Sequence, residues 1–145
     1  MKKIIMAENI IKSFSVGSEN RNVLDSVSVD VVEGEFVAVM GPSGSGKTTL
    51  IFALSGMDNI DSGKVIFDDQ DISALSEKEM ADLRRIKMGF VFQQPTMLKN
   101  LNILDNIVFP SMRDNRKKGL KISVNAKTLM GKVGITELGN RDITQ

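Results

Sequence analysis

The 145-residue chain reads as an α/β fold, and three consecutive stretches predict it. Phe36-Val37-Ala38-Val39-Met40 is a continuous apolar run with the length of a buried parallel strand. Gly41 to Thr48, G-P-S-G-S-G-K-T, then fits the phosphate-loop pattern G-x-x-x-x-G-K-[ST] without a mismatch. After it, Leu50, Ala53, Leu54 and Met57 recur at helical spacing. Strand, glycine loop and helix thus occur in the order that a phosphate-binding turn requires.

The remaining elements follow in chain order. A strand is predicted around Ile4–Phe14, with a polar turn from Gly17 to Asn22. Val27, Val29 and Val31 alternate with Ser26, Ser28 and Asp30, the pattern of a strand buried on one face. Glu33-Gly34 turns the chain into the apolar run. Asp61-Ser62-Gly63 marks a second turn, leading to a strand over Lys64-Val65-Ile66-Phe67 and the acidic turn Asp68-Asp69. Ser76 with Glu79 is a capping-box pair opening a helix through about Lys87. Gly89-Phe90-Val91-Phe92 reads as a short apolar strand, broken by Gln93-Gln94-Pro95. Helices are predicted near Asn102–Phe109 and near Ser123–Val133, the second with Ala126, Leu129, Met130 and Val133 on one apolar face. There is no internal repeat and no low-complexity linker.

The residue types of the glycine loop specify its chemistry. Glycine lacks a Cβ and tolerates positive φ, so the backbone can wrap around phosphate oxygens. Successive N–H groups and the start of the next helix then converge on the anion. Lys47 is placed to reach the β- and γ-phosphates, and the Thr48 hydroxyl to ligate Mg2+.

Bulk composition narrows the rest. Hydrophobic residues make up 41% and charged residues 26%, with a net charge of +1, so there is no electrostatic footprint of nucleic acid or an anionic membrane as the main partner. The length suits one domain with a real core. The chain has no cysteine, which excludes disulfides and thiolate metal sites and fits a reducing compartment. It has no histidine either, removing the commonest general base and metal ligand. Met1 to Met6 begins like a signal peptide, but Glu8, Asn9 and Lys12 interrupt the apolar stretch. No segment has the length of a membrane span, and the expectation is a cytoplasmic, unanchored chain.

Four motifs in order resemble those of the ATP-binding cassette (ABC) transporter ATPases, and the resemblance covers the whole chain. Asp61-Ser62-Gly63-Lys64-Val65 is similar to the x-S-G-x-[IV] turn after the family's phosphate-loop helix. Gly89-Phe90-Val91-Phe92-Gln93 is similar to the Q-loop, and L-N-I-L-D-N-I-V-F-P over Leu101–Pro110 to the segment opening the helical subdomain. Lys12-Ser13-Phe14 matches the place where the family sets an aromatic ring against adenine. Arg84-Arg85 before the Q-loop, with D-N-I-V-F-P after it, most resembles the lipoprotein-release, macrolide-export and antimicrobial-peptide-export group.

The resemblance implies a P-loop NTPase fold of ABC type. Residues 1–35 would be mainly the antiparallel β-subdomain, 36–95 the phosphate-loop core to the Q-loop, and 96–145 the start of the helical subdomain. It implies ATP and Mg2+ as ligands, held by Phe14, Gly41, Pro42, Ser43, Gly44, Ser45, Gly46, Lys47, Thr48, Thr49 and Gln93, with Thr48 and Gln93 on the metal. Gln94 is adjacent, but the family pattern places the sensor directly after the aromatic residue. The implied partners are a transmembrane permease and a second nucleotide-binding domain in a homodimer of the full-length protein, with no nucleic acid. The implied location is the inner face of the cell membrane, through the permease.

Several residues carry an alternative reading. Phe14 can be core instead of a base platform, and Gln93 can cap a strand end. The basic run Arg113, Arg116, Lys117, Lys118 and Lys121 reads foremost as a solvated face, with docking toward a membrane partner as the sharper reading. The nine methionines read as core gap-fillers.

The sequence reaches Thr144-Gln145 without matching the family's L-S-G-G-Q signature, its acidic Walker B strand, catalytic glutamate or switch histidine. The expectation is the first two-thirds of a nucleotide-binding domain, with an incomplete core. Such a chain would bind ATP with turnover near background, since no family catalytic residue is present and a general base contributes about 10²–10⁴ in rate. Phe36–Met40 would then expose apolar faces and unpaired backbone. Two other functions compete with the transporter ATPase. A P-loop kinase would share the phosphate loop alone, and a catalytically silent nucleotide-binding module would regulate a partner through occupancy.

Overall fold

Val27, Val29 and Val31 turn inward along their strand while Ser28 and Asp30 face solvent, so the period-two alternation is realised. The computed structural model describes residues 1–94, 97–112 and 119–143. The chain forms two compact units, 1–90 and 91–145.

In the first unit, β1 (Lys3–Val16) and β2 (Glu19–Val32) form a long antiparallel hairpin. β3 (Ser62–Phe67) adds to the other edge of β1, and the short β4 (Gln70–Asp71) closes the order β2-β1-β3-β4. The β3–β4 turn is Asp68-Asp69, both at positive φ (47° and 65°), the conformation that matches a two-residue turn to strand twist. The predicted turn over 17–22 is tighter than expected, because the ladder continues to Val16 opposite Glu19.

Helix α1 (Lys47–Leu54) and helix α2 (Glu77–Lys87) cover one face of this sheet. The core joins Ala7 and Ile10 of β1, Leu24 of β2, Ala53 of α1, Val65 and Phe67 of β3, Ile72, and Met80 of α2. The capping box of α2 forms as predicted: Ser76 N–H donates to Glu79 Oε2 at 2.9 Å, and Glu79 N–H donates to Ser76 Oγ at 3.4 Å.

The sheet is irregular for a reason visible in the register. An extra residue on β1 near Asn9 (φ 48°) bulges the strand between the pairs Ala7–Val29 and Ile10–Val27. Gly63 of β3 lies against this bulge. Its φ is 95°, and a Cβ there would stand 2.5 Å from the Asn9 carbonyl oxygen and 2.7 Å from that of Glu8. The sequence singled out Ser62-Gly63 as a turn; the structure shows a backbone contact that admits no side chain.

Two predicted strands are not formed. Phe36–Met40 has no assigned secondary structure, and Phe36 is 95% exposed and Met40 87%. Gly89–Phe92 is likewise irregular. A strand exists through its ladder, and among the described residues neither segment is part of the sheet. The apolar side chains and backbone of 36–40 therefore meet solvent, as expected of this segment without neighbours.

In the second unit, α3 (Ile103–Met112) packs on α4 (Gly119–Lys132) through Val108, Ala126 and Met130. Of the predicted apolar face of α4, Ala126 and Met130 are buried, while Leu129 and Val133 are exposed. The contact with α3 is thus narrower than the apolar stripe. Helix α3 also runs past its predicted end, with Pro110 inside its last turn, where the missing N–H costs one hydrogen bond. Asn106 organises the approach to this helix: its side chain accepts from Leu98 N–H at 2.8 Å and donates to the carbonyls of Leu98, Leu101 and Asn102. Arg113, Arg116, Lys117 and Lys118 of the basic run lie outside the described residues, as does the side chain of Lys121.

Replacing Gly63 by Ala should destabilise the chain by at least about 2 kcal/mol, combining a positive-φ cost with a backbone collision that no rotamer relieves. Urea denaturation measures it, and a loss below about 0.5 kcal/mol would show that β3 can shift away from the bulge.

The acid limb of stability is also determined. Hydrogen bonds from the Ser13 hydroxyl and N–H hold Asp61 below the usual carboxylate range, those from Lys2 and Lys87 do the same for Asp68, and those from Ser76 for Glu79. With folded pKa values lowered, protons bind the unfolded chain first. The stabilisation is therefore complete above the ordinary carboxylate range and lost as pH falls through the folded values. The urea midpoint should hold down to about pH 5 and fall below it, and Asp68→Asn should flatten part of that fall.

Candidate functional site

Five of the eight phosphate-loop positions are glycine or serine, and the loop leads directly into α1 at Lys47. Gly46 is the N-cap residue at φ 86°, and no side chain caps the helix. The N–H groups of the first turn therefore lack an internal acceptor, and the first turn carries no acidic residue. An anion is the complementary ligand for such an end.

Gly46 is also where the loop meets the sheet. A Cβ there would lie 2.9 Å from the Val23 carbonyl oxygen and 3.0 Å from Val23 Cγ1. Val23 is the extra residue on β2 between the pairs Lys12–Leu24 and Ser13–Asn22. This second bulge directs a strand carbonyl at the loop, so the glycine is required by contact as well as by φ.

Lys47 folds back across the loop, its Nζ donating to the carbonyls of Gly41 at 2.9 Å and Pro42 at 2.6 Å. Both acceptors are neutral, so the ammonium keeps its charge uncompensated within the loop. Ser45 N–H donates to Pro42 O at 3.3 Å, closing the turn over Pro42–Ser45. Ser43, Ser45 and Thr48 are exposed, whereas Thr49 is half-buried.

The donor set suits a polyphosphate: an ammonium held only by neutral carbonyls, uncapped amides and, among the described residues, no carboxylate bonded to Lys47. It also suits Mg2+ in one specific way. Among the described residues no group of three or more acidic side chains could hold a metal alone, and Thr48 offers a single exposed hydroxyl. Mg2+ usually keeps waters and shares substrate phosphates, so one hydroxyl fits a metal that arrives with its phosphates.

Phe14 is not in the core. It is 43% exposed, with Lys12 Nζ 5.3 Å from the ring centroid. Along the hairpin, Phe14 pairs with Arg21, which lies two residues, about 7 Å, from Val23, the strand position that contacts Gly46. The hairpin thus brings an exposed ring and the phosphate loop to one end of β2. Gln93 belongs to the second unit, at an exposed bend after the irregular segment 89–92.

Sequence reasoning missed Asp58 and Asp61 as partners of the strand bearing Phe14, although Asp61 opens the quoted Asp61-Ser62-Gly63 turn. It also missed Asn106, whose place in D-N-I was quoted without a role.

Comparison with known proteins agrees with these features. The sequence profile of the ABC transporter family matches residues 24–145. The uncharacterized ABC transporter ATP-binding protein YknY of Bacillus subtilis (strain 168) is 37% identical over 134 residues, covering 92% of this chain and 58% of that protein. Among solved structures, the ATP-binding cassette MJ0796, in a dimeric post-hydrolysis state bound to ADP and Pi, superposes with a TM-score of 0.89 at 30% identity, covering 97% of this chain and 62% of that one. A second dimeric structure of MJ0796, a bacterial ABC transporter cassette, gives 0.88 at 31% identity, with 95% and 61% covered. The α/β fold is therefore that of the ATP-binding cassettes, and the chain spans about three-fifths of the length of these relatives.

Because Lys47 bonds only to exposed carbonyls, Lys47→Ala should change the folding free energy by less than about 1 kcal/mol. Gly46→Ala should cost more, since its Cβ meets the Val23 backbone. Paired urea titrations check the order, and a larger loss for Lys47→Ala would mean that the ammonium holds the loop together.

Proposed function

The chain belongs to the ABC transporter family, and from that we propose that it is the nucleotide-binding part of an ATP-driven transporter. In this reading it binds ATP with Mg2+ and couples binding and hydrolysis to the export or release of a substrate by a transmembrane permease. The observation that carries the reading is the uncompensated Lys47 ammonium lying across a glycine loop that opens an uncapped helix.

The residues divide the work by their chemistry. The backbone N–H groups of Gly41, Ser43, Gly44, Ser45 and Gly46 form a ring of donors around the phosphates, Pro42, which has no N–H, fixes the turn, and the N–H groups of Lys47, Thr48 and Thr49 extend the ring into the helix. Lys47 gives up two neutral acceptors for charged ones, and charge-assisted bonds are the stronger kind. Mg2+, when bound, neutralises charge on the β- and γ-phosphate oxygens. The Thr48 hydroxyl would hold it. Gln93 keeps the metal and γ-phosphate role that the family pattern gives it, a proposal resting on sequence position alone. Phe14 would stack on the base.

The proposal extends to organisation and place. Residues 1–35 act as the β-subdomain, 36–95 as the phosphate-loop core to the Q-loop and 96–145 as the opening of the helical subdomain. The whole protein hydrolyses ATP as a homodimer of nucleotide-binding domains. It lies at the inner face of the membrane through its permease; among the described residues no helix is long and apolar enough to cross one. The residues of 1–145 include no match to the family's Walker B strand or catalytic glutamate, so this stretch by itself is proposed to bind without turning over. The proposed subgroup is the lipoprotein-release, macrolide-export and antimicrobial-peptide-export group, a reading supported by Arg84-Arg85 before Gly89–Gln93 and by D-N-I-V-F-P after it.

Lys47→Ala should abolish ATP binding, whereas Gln93→Ala should only weaken it, as isothermal titration with ATP and Mg2+ would show. Equal losses would count against both assignments. Phe14→Ala should weaken ATP and GTP alike, each by about 1 kcal/mol, because ring stacking carries little hydrogen-bond readout of the base. A mutant that kept its ATP affinity would remove Phe14 from the site.

A further inference from the structure

The strand end that bears Phe14 is tied to a loop from which the nucleotide reading asks nothing. β1 pairs with β3 only as far as Ile11 opposite Ser62, so from Ser13 onward its outer edge has no strand beside it among the described residues. A two-stranded hairpin alone is marginal in water, and its tip frays. Here the Asp61 carboxylate stands in for the missing rung. Its Oδ2 accepts from Ser13 N–H at 2.6 Å and from the Ser13 hydroxyl. Asp61 is itself fixed, its N–H donating to Ile11 O at 2.8 Å.

Lys12 makes a second tie. Its Nζ donates to Asp58 Oδ1 at 2.9 Å and to Asn59 O at 2.6 Å, with only 12% of the side chain exposed. The same ammonium lies 5.3 Å from the Phe14 centroid, within cation–π range. Both residues preceding the ring are thus clamped to residues 58–61, and one side of the ring carries a cation already neutralised by a carboxylate.

We propose that Asp61, acting through Ser13, and Asp58, acting through Lys12, are positioning residues that hold the Phe14 ring ready for the nucleotide base. The inference rests on the assignment of Phe14 to the base made above. The base takes the ring face opposite Lys12. Neither aspartate touches the nucleotide; each removes ordering that binding would otherwise have to impose on the hairpin tip. The phosphates, gripped by the Gly41–Thr48 loop, do not feel the clamp.

That separation gives the test. The full chain and its Asp61→Ala, Asp61→Asn, Phe14→Ala and Asp61→Ala/Phe14→Ala variants are titrated calorimetrically with Mg–ATP and with inorganic tripolyphosphate. Asp61→Ala should weaken ATP about twofold to fivefold, no more than the loss of the ring itself. It should leave tripolyphosphate unchanged and add nothing in the Phe14→Ala background. Asp61→Asn, which keeps an oxygen acceptor for Ser13, should recover part of the loss. An Asp61→Ala variant that binds ATP like the parent, weakens both ligands equally, or adds its full loss to that of Phe14→Ala overturns the clamp alone. Wild-type ATP affinity in Phe14→Ala overturns the base assignment and the clamp with it. Should Asp61→Ala fail to fold, Ser13→Ala removes only the hydroxyl bond and answers the same comparison, with a smaller loss confined to ATP expected.

Discussion

Backbone N–H and C=O groups taken from water need partners, and a strand inside a sheet finds them on both edges. β1 is the segment on which the first unit depends for this reason: β2 pairs with one edge from Lys3 to Val16 and β3 with the other from Ile5 to Ile11, both ladders interrupted by bulges. Ala7 and Ile10, near the middle of β1, are among the most deeply buried side chains, and the core of α1, α2 and β3 gathers on them. Phe36–Met40 is the counter-case. It is as apolar as any strand in the chain, yet with no ladder it stays irregular and exposed.

The same ladder places the ligand-binding loop through its faults. A bulge near Asn9 makes room for the Gly63 backbone, and a bulge at Val23 aims a carbonyl at Gly46. In both places two backbones approach more closely than a Cβ allows. The phosphate loop is therefore seated on β2 by a contact specific to glycine, and the hairpin that carries this contact also carries Phe14. One hairpin thus carries both the contact that seats the uncapped end of α1 and an exposed aromatic ring.

Two lysines show how partners decide a cation's use. Lys12 is half-committed to a carboxylate, with little exposure, and its charge is cancelled where it lies over Phe14. Lys47 bonds only to carbonyls, which orient the ammonium without neutralising it. The two lysines, in the same unit, differ in that one respect. The acidic residues follow the matching rule: Asp61 and Asp68 are spent on serine and lysine donors of the scaffold, away from the phosphate loop.

Local sequence was sufficient wherever the physics is local. The phosphate loop with its helix, the capping box of Ser76 and Glu79, the alternation of Val27, Val29 and Val31, and the motif order that marks the ABC family each depend on residues within a few positions of one another. The sequence alone therefore determined the α/β class, the family and the glycine-rich loop that opens α1. What it misjudged or missed depends on partners far along the chain. Apolar runs at 36–40 and 89–92 are indistinguishable from strands until a neighbour is sought, and Leu129 and Val133 look like core until the width of the α3 contact is known. Tertiary structure alone decided that Phe14 faces solvent, that Gly46 and Gly63 serve close backbone approach, and that Asp58 and Asp61 reach back more than 45 residues to hold the strand bearing the ring. Spacing in sequence carries no record of such contacts, because burial and hydrogen-bond geometry are set by which surfaces meet once the chain has closed on itself.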